Sequence, residues 1–432
     1  MAGIRFLVKA DAKIGHAVSE ARTPLGSMGL RLRPLLPYSS AITGFGLAGG
    51  QDWFVAETGD EVDPATAWDR CHRLSARGEA LEAAVGITYA EPDWPQTWLP
   101  EDQPESVSPF GVVESCETEQ RWMDKDAVPH GNLPDWHLGD AYSGLRSARQ
   151  AAAVQNPRPV RIGHLDTGYD PTHQIRPPSL TEPDSLEHNF VEGENPDNAA
   201  DPFVSGIMKN PGHGTGTIGI LAGSKLENLA FPDENTGDFL GGAYQARVIP
   251  VRVASSVVLF YTSALAQGLD YLTAPQNDPD LKCDVITISL GGLASGAWTE
   301  IVNRAYDLGV CIFAAAGNNF GGLPTHHIVY PARYGRVTAV CGVMQDGRPY
   351  YDLGVGTMAG NFGPESKMST AIAAYTPNIP WAKWGCPRAY RWNGQGTSSA
   401  TPQAAAAAAL YIQKHFDALG HHATLDLRKE FM

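Results

Sequence analysis

From about residue 136 the sequence alternates short apolar runs with segments of helical periodicity, and this alternation constrains the fold more than any other feature. The apolar runs cover residues 160–165, 247–253, 284–290, 310–316 and 337–343. The helical segments lie between them, at 213–222, 262–272 and 297–308. Continuous apolar strands separated by helices are typical of a parallel sheet covered on both faces. The sequence therefore predicts a doubly wound α/β domain, with its active groups near the carboxyl ends of the strands.

The first 93 residues follow another pattern, in which short strands surround a helix. Strands are predicted at residues 4–9, 30–36, 53–57 and 84–90. A helix is predicted at 64–77, with Asp63 as its expected N-cap. This mixture is typical of a small α+β domain over residues 1–93. Residues 94–134 are rich in Pro, Glu, Asp and Ser and predict a linker, so that the large domain covers residues 135–432.

The charge balance excludes two classes of partner. The 432 residues carry a net charge of −15, so the chain lacks the basic excess needed to bind nucleic acid or an anionic membrane. No stretch reaches the ~20 apolar residues of a membrane span. The first 20 residues also lack an apolar run of roughly 7–15 residues, which a secretory signal would contain. We therefore expect a soluble, cytoplasmic protein.

The cysteines are scattered along the chain without a CxxC pair. They are Cys71, Cys116, Cys283, Cys311, Cys341 and Cys386. Three of them lie in or beside apolar runs, where a thiol behaves as a small hydrophobic group. Since a large core needs no covalent support, all six are expected to be free.

Three residues in separate segments form a set suited to nucleophilic catalysis. Asp166 follows the first strand of the large domain, His213 opens a helix, and Ser398 precedes an alanine-rich helix. Taken singly, each has an ordinary structural explanation as a turn, loop or N-cap residue. Taken together, they supply a hydroxyl nucleophile, an imidazole that accepts its proton and a carboxylate that orients the imidazole.

Two further segments supply groups for a reacting carbonyl and an extended peptide. Asn318 follows a Gly at a strand end, where it is either a turn residue or a donor to a charged tetrahedral oxygen. The N–H of Ser398 lies at a helix start, has no intrahelical acceptor, and can donate to the same oxygen. Residues 289–292 are either an ordinary strand exit or a backbone edge that pairs with a peptide.

In these segments the chain resembles the subtilase family of serine peptidases. The shared motifs are residues 166–168, 213–215, 289–292, 315–318 and 396–402. The order Asp, His, Ser along the chain is the one found in subtilisins. The resemblance covers roughly residues 136–415 and includes residues 330–332, which are similar to a wall of the family's specificity pocket.

The resemblance implies a serine endopeptidase with a subtilisin-like, mostly parallel doubly wound sheet and no required cofactor. It implies Asp166 as the orienting acid, His213 as the general base, Ser398 as the nucleophile and Asn318 as the oxyanion donor. It also implies four residues that bind the substrate polypeptide, namely Ser289, Leu290, Gly291 and Gly317.

The N-terminal residues resemble the family's inhibitory pro-region, and residues 87–93 are similar to the end of such domains. This resemblance implies a ferredoxin-like domain that templates and masks the catalytic domain in cis. Cleavage in the linker at 94–134 is expected to release it. The protease is accordingly predicted to be made as a self-inhibited zymogen.

The sequence departs from the family's pattern at two places. Gly216 stands where the family often has a second His. The loop at 224–242 carries Asp233, Glu234 and Asp238 but lacks the ligand spacing of a calcium loop. A solvated acidic loop is the simpler interpretation of these residues, and a calcium site is the alternative.

Other motifs have ordinary structural explanations. Residues 214–219 match a GxGxxG nucleotide fingerprint, but a polar loop precedes them instead of a strand. The paired histidines at 326–327 and 421–422 have no partners at ligand spacing, so we expect exposed loop residues and no metal site.

Val329 is expected at the base of the first specificity pocket. Because no acid is evident there, a strict preference for Lys or Arg is not predicted.

Two other functions fit the same residues. A peptide ligase or cyclase would form the same acyl-enzyme and pass it to an amine in place of water. A binding-only protein would keep its N-terminal domain in the cleft permanently. Transpeptidation products would identify the first, and failure of Ser398 to react with a fluorophosphonate would identify the second.

Overall fold

The computed structural model describes most of the chain in separate stretches. They are residues 5–21, 30–40, 50–58, 63–76, 86–97, 116, 134–152, 159–181, 186–203, 211–227, 237–257, 259–273, 282–351 and 357–415. The chain divides into two compact units. The first consists of Met1–Gln96, Phe260–Lys282 and Ala294–Ile301, and the second of Thr97–Leu259, Cys283–Leu293 and Val302–Met432.

The first unit contains a four-stranded antiparallel sheet. Its elements are β1 (Arg5–Asp11), α1 (Ala12–Ala21), β2 (Arg31–Pro34), α2 (Pro37–Ser40), β3 (Gln51–Glu57), α3 (Ala67–Ala76) and β4 (Tyr89–Pro92). The strands lie in the order β2-β3-β1-β4, and each neighbouring pair is antiparallel. With α1 after β1 and α3 after β3, this is the strand order of a ferredoxin-like α+β fold. Phe6, Val8 and Phe54 are buried in its core.

The second unit is built on a seven-stranded sheet in which each neighbouring pair is parallel. In spatial order its strands are β15 (Ile372–Tyr375), β13 (Thr338–Val343), β11 (Cys311–Ala315), β10 (Val285–Ile288), β6 (Arg161–Asp166), β8 (Arg247–Arg252) and β7 (His188–Asn189). Helices α5 (His213–Ala222) and α9 (Thr397–Lys414) pack against each other, and α9 also contacts α4 (Leu145–Ala152) and several strands of the sheet. The predicted subtilisin-like α/β fold is confirmed.

Shorter elements complete the two units. Helix α6 (Thr262–Thr273) and the first half of α7 (Gly296–Asp307) belong to the first unit. The second unit also contains α8 (Glu365–Met368) and two small antiparallel sheets, β12 (Asn318–Phe320) with β14 (Met358–Gly360) and β16 (Ile379–Ala382) with β17 (Tyr390–Gly394). Strands β5 (Pro95–Thr97) and β9 (Leu259–Tyr261) form a further two-stranded sheet.

The pattern of apolar residues did not reveal every element. The helix predicted at 64–77 is a 3-10 turn, Pro64–Thr66, followed by α3. Helix α1 was not predicted, because its sequence AKIGHAVSEA mixes a glycine and polar residues into a short amphipathic stretch. The hairpin of β16 and β17 was also missed, since a proline lies within β16 and the strands carry no clear apolar alternation.

The expectation that all six cysteines are free is wrong at two positions. Cys116 and Cys386 form a disulfide across a sequence separation of 270 residues. Cys71, Cys283 and Cys341 are free and buried, and Cys311 is free and half-buried. Neither the size of the core nor the spacing of cysteines reveals a bridge between residues so far apart in sequence.

Candidate active site

The predicted acid and base meet where a strand of the large sheet ends and a helix begins. Asp166 is the last residue of β6 and His213 is the first residue of α5. The two side chains are joined by a hydrogen bond of 2.7 Å from His213 Nδ1 to Asp166 Oδ1. Gly212 precedes the helix with a φ of 78° and donates its N–H to Asp201 Oδ2 at 2.7 Å. This left-handed residue allows the sharp entry that brings His213 to Asp166.

Asp166 is held as a carboxylate by three donors. Its side chain is 1% exposed. Besides His213, the backbone N–H of Thr167 donates to Oδ1 at 2.7 Å, and Thr217 Oγ1 donates to Oδ2 at 3.0 Å. Burial alone would raise the pKa of this carboxyl, but the charge and hydrogen bond of His213 outweigh burial and hold the pKa below its usual value. An ionised Asp166 can therefore fix the tautomer of His213 with the proton on Nδ1.

Ser398 lies in the first turn of α9, after Gly396 with a φ of 84°. Its side chain is nearly buried, and Oγ donates to the carbonyl of Ser289 at 3.4 Å. Within the described residues, Oγ makes no hydrogen bond to His213. Such bonds are often long without substrate and tighten when substrate binds. The contact with Ser289 is long, so within the described residues the hydroxyl is held by a weak hydrogen bond alone.

The next residue, Ser399, is a poor alternative nucleophile. Its side chain is fully buried, and Oγ bonds to Thr376 Oγ1 at 3.0 Å and to the carbonyl of Gly396 at 2.9 Å. These bonds tie the turn before α9 to a neighbouring loop. The two adjacent serines therefore differ, because Ser399 is fixed by two hydrogen bonds and Ser398 makes only one long side-chain bond.

Asn318 is oriented by the same helix start. Its Oδ1 accepts the N–H of Thr397 at 2.9 Å, which leaves the Nδ2 group as the free end of the amide. The N–H of Ser398 has no acceptor among the described residues, whereas those of Thr397 and Ser399 do. Two donors, Asn318 Nδ2 and the Ser398 N–H, are therefore available beside the nucleophile.

The four predicted substrate-binding residues lie on two neighbouring chain segments after β10 and β11. Ser289 exchanges contacts with Ser398, because its Oγ also donates to the Ser398 carbonyl at 3.2 Å. Leu290 and Gly291 make no backbone hydrogen bond within the described stretches, so their N–H and C=O groups remain available to an extended peptide. Gly317, with a φ of 96°, donates its N–H to Thr397 Oγ1 at 3.1 Å.

Val329 lies between the two glycines of these segments. A Cβ at Gly291 would lie 2.5 Å from Val329 Cγ2, and a Cβ at Gly317 would lie 3.0 Å from the same atom. A side chain at Gly291 would therefore collide with Val329, and one at Gly317 would be crowded by Val329 and by Asn361. The adjacent Tyr330 pairs with Gly292 through two backbone hydrogen bonds of 2.6 and 3.1 Å. Val329 therefore presents an apolar surface between the two segments.

The sequence did not identify Trp381, which lies beside His213. The two ring centroids are 5.4 Å apart in an edge-to-face arrangement. A Cβ at Gly216 would lie 1.9 Å from Trp381 Cε2, so the indole fills the space that a side chain at position 216 would need. The departure from the family at Gly216 is thus matched by the aromatic residue on β16. The lone sequence signal was the glycine itself.

The remaining predicted features have simple surroundings. No group of three or more His, Cys, Asp or Glu side chains in the described part of the chain could hold a metal ion. His326 and His327 are exposed, and residues 421–422 lie outside the described stretches. Residues 214–219 form the first turns of α5 and do not follow a strand directly. Asp233 and Glu234 also lie outside the described residues.

We predict that Gly216→Ala lowers the free energy of unfolding by about 1–3 kcal/mol, because the new methyl group displaces the Trp381 ring. The Trp381→Ala change should relieve this collision, so the double variant should be no less stable than Trp381→Ala alone. Urea unfolding of the four chains, each carrying Ser398→Ala to prevent self-cleavage, measures the coupling. Gly335→Ala is the matched control, since a Cβ there meets nothing within 4 Å. Equal stabilities of the Gly216→Ala and Gly335→Ala variants would contradict the prediction.

Comparison with known proteins gives a single family. The family model for the subtilase family matches residues 158–428, more than half of the chain. Subtilisin DY of Bacillus licheniformis is 31% identical over 260 residues, which are 59% of this chain and 77% of that protein. Subtilisin E of Bacillus subtilis is 28% identical over 257 residues, 59% of this chain and 56% of that protein. The matched region contains every residue of the geometry described above, and the chain belongs to the subtilase family of serine endopeptidases.

Proposed function

We propose that Asp166, His213 and Ser398 hydrolyse peptide bonds through an acyl-enzyme. The observation that carries this proposal is the 2.7 Å bond between Asp166 and His213 at the edge where α5 and α9 begin. Ser398 Oγ attacks the scissile carbonyl carbon as its proton passes to His213 Nε2. The imidazolium then gives this proton to the leaving amine. Water, deprotonated by the same imidazole, releases the acid product and restores the serine.

The charge that develops on the carbonyl oxygen is stabilised by fixed donors. Asn318 Nδ2 and the Ser398 N–H face no other acceptor in the described structure, and the Thr397 N–H prevents the Asn318 amide from turning over. Donors held in place before the reaction need no reorganisation as the charge forms. The free backbone groups of Leu290 and Gly291 hold the substrate polypeptide as an added strand.

Replacement of the two neighbouring serines tests the assignment of the nucleophile. Ser398→Ala should lower kcat by roughly 10⁶-fold, since the whole triad then lacks its acceptor for an acyl group. It should also abolish labelling by a fluorophosphonate, measured by intact mass. Ser399→Ala removes only structural hydrogen bonds and should still be labelled. Labelling of the Ser398→Ala chain at Ser399 would overturn the assignment.

We further propose that the N-terminal domain is a pro-domain that is held by helix capping. Within the first unit, Glu91 accepts the N–H groups of Gly296 and Ala297 at the start of α7, at 2.8 and 3.2 Å. Asp93 accepts the N–H of Ser263 in the first turn of α6 at 2.9 Å. Carboxylates at helix N-termini satisfy donors that the helix leaves unpaired. Two helices from later in the chain thus depend on the last residues of the N-terminal domain, which supports a templating role.

The Cys116–Cys386 disulfide limits where an activating cut can lie. A cut between residues 116 and 134 would leave the N-terminal fragment covalently attached through Cys116. Release of the pro-domain under oxidising conditions therefore requires a cut between residue 94 and Cys116. The predicted linker at 94–134 is accordingly divided into a part where cleavage activates and a part where it does not.

Intact mass and gel analysis test the zymogen. After incubation, the wild-type chain should lose an N-terminal fragment that separates on a denaturing gel without reductant. The Ser398→Ala chain should keep its full mass, because processing requires the nucleophile. Full-length masses for both chains after incubation would defeat self-processing. Separation of the fragment only after reduction would place the cut beyond Cys116 and contradict the proposed position.

We propose that a guanidinium replaces a metal ion in the acidic loop at 224–242. Arg149 is 3% exposed, and its Nη1 donates to the carbonyls of Phe239 and Gly241 at 2.8 and 3.0 Å. Its Nη2 donates to Asp238 Oδ2 at 2.8 Å, and Arg146 Nε also donates to this oxygen at 3.1 Å. Converging carbonyl and carboxylate oxygens are the ligand set of calcium. In the described half of this loop, an internal cation already takes these ligands.

Chelation separates the two interpretations of the loop. The thermal midpoint of the Ser398→Ala chain should not change with EGTA or with added calcium. Arg149→Ala should lower stability by about 1–3 kcal/mol, because the carbonyls of Phe239 and Gly241 lose their buried donor while Asp238 keeps Arg146. Arg348→Ala is the control, because that arginine pairs with Asp346 on the surface. A midpoint that falls with EGTA and recovers with calcium, while Arg149→Ala has no effect, would contradict the proposal.

Location and partners follow in part from these features. A polypeptide substrate and the chain's own N-terminal domain are the proposed partners. Among the described helices, none is long and apolar enough to cross a bilayer. The cytoplasmic location stays a prediction, whereas the Cys116–Cys386 disulfide favours an oxidising compartment.

A further inference from the structure

A buried imidazole, that of His164, lies near Asp166 Oδ2, whereas His213 bonds to Oδ1. His164 precedes Asp166 by two residues on β6, and alternate residues of a strand point to the same face. It is 2% exposed, and its Nε2 lies 2.8 Å from Thr217 Oγ1 and 3.7 Å from Asp166 Oδ2. An apolar side chain would fill a buried strand at lower cost, since a buried polar ring must find hydrogen bonds. His164 therefore has a role that packing alone does not explain.

Thr217 connects this imidazole to the carboxylate. It lies one turn after His213 on α5, and its hydroxyl has three acceptors within reach. These are Asp166 Oδ2 at 3.0 Å, and the carbonyls of His213 and Gly214, each at 3.3 Å. A hydroxyl has one proton and can satisfy one of them fully. Whatever supplies a second proton to Thr217 Oγ1 decides whether the carboxylate receives this one.

The tautomer of His164 decides the direction of the hydrogen bonds. Burial lowers the pKa of His164 to about 4, although the charge of Asp166 raises it and that of His213 lowers it. At neutral pH the ring therefore carries one N–H. With this proton on Nε2, His164 donates to Thr217 Oγ1, and Thr217 donates to Asp166. With an unprotonated Nε2, Thr217 would instead donate its proton to His164. Asp166 Oδ2 would then face only the lone pairs of Thr217 Oγ1.

We propose that His164 is a positioning residue of the active site, which acts as a neutral donor through Thr217 to hold and polarise Asp166. The chain of donors runs from His164 Nε2–H to Thr217 Oγ1–H to Asp166 Oδ2. Asp166 Oδ1 then remains for His213 and the Thr167 N–H. This inference rests on the proposed triad and adds residues that none of its motifs contains.

The effect on the reaction follows from the charge on Asp166. Each donor withdraws part of that charge and fixes the rotamer of the carboxylate. Loss of the Thr217 bond would leave a less restrained and more basic carboxylate. Such a carboxylate would stabilise the protonated form of the adjacent imidazole, so His213 would act as a base only at higher pH. A lower kcat and a displaced acid limb of the pH profile should therefore appear together.

Kinetics of five variants against pH test the proposal, with a chromogenic peptide as substrate. His164→Val and Thr217→Val should each lower kcat about 10-fold, the effect of one net hydrogen bond, with little change in KM. The acid limb of kcat/KM should move to higher pH in both. The double variant should be no worse than Thr217→Val, because His164 acts through Thr217. His164→Gln and Thr217→Ser keep a donor and should restore most of the wild-type profile.

His173→Gln is the matched control. His173 is another buried histidine of the same unit, and it bonds to the carbonyl of Ala389 instead of the triad. Its replacement should change stability without moving the acid limb. Thermal melts report the folded fraction of each chain, and Thr217→Ser and Thr217→Val keep the test open if His164 variants do not fold.

Two results would overturn the proposal. One is an acid limb that stays in place while activity merely follows the folded fraction, and the other is strict additivity of the two valine changes. Failure of the proposed function is distinguishable, because the wild-type chain would then show neither peptide cleavage nor fluorophosphonate labelling at Ser398. Cleavage and labelling by wild type with an unmoved acid limb in both valine variants would reject the role of His164 alone.

Discussion

The hydrogen bond between His213 and Asp166 is the contact on which the rest of the site depends. It joins the carboxyl end of a central strand to the first residue of a helix, so the sheet and the helix must both be formed before it exists. Parallel strands bring their carboxyl ends to one edge. The same edge receives the start of α9 and the strand exits after β10 and β11. The large core thus holds five short chain segments in fixed positions relative to one another.

Much of this arrangement could be predicted from the sequence, because the relevant signals are local. The apolar runs predicted five of the seven strands of the sheet with errors of one or two residues, while β7 and β15 were missed, and helix α5 has the bounds expected for it. Asp166 and His213 are joined as predicted. Their motifs are short, and each chemical role demands a particular side chain at a strand or helix end. Such local signals can be recognised in a sequence without knowledge of the tertiary structure.

The features that could not be predicted depend on contacts between distant residues. Trp381 contacts His213 through a hairpin that no periodicity reveals, and Gly216 makes sense only once that ring is in place. The pairing of Cys116 with Cys386 has no local signature either. Thr217 and His164 look like ordinary helix and strand residues in the sequence. Only their distances to Asp166 give them a chemical meaning.

The disulfide has a consequence for a protease whose molecules can cleave one another. It closes a covalent ring that contains β6, α5 and the segment with Asn318, while α9 follows shortly outside it. A single cut in any surface loop of that ring opens it without separating the two pieces. The strands of the sheet remain tethered and can stay paired, so a nicked molecule keeps its acid and base on one covalent assembly. For an endopeptidase at high concentration, this crosslink is a form of tolerance to its own activity.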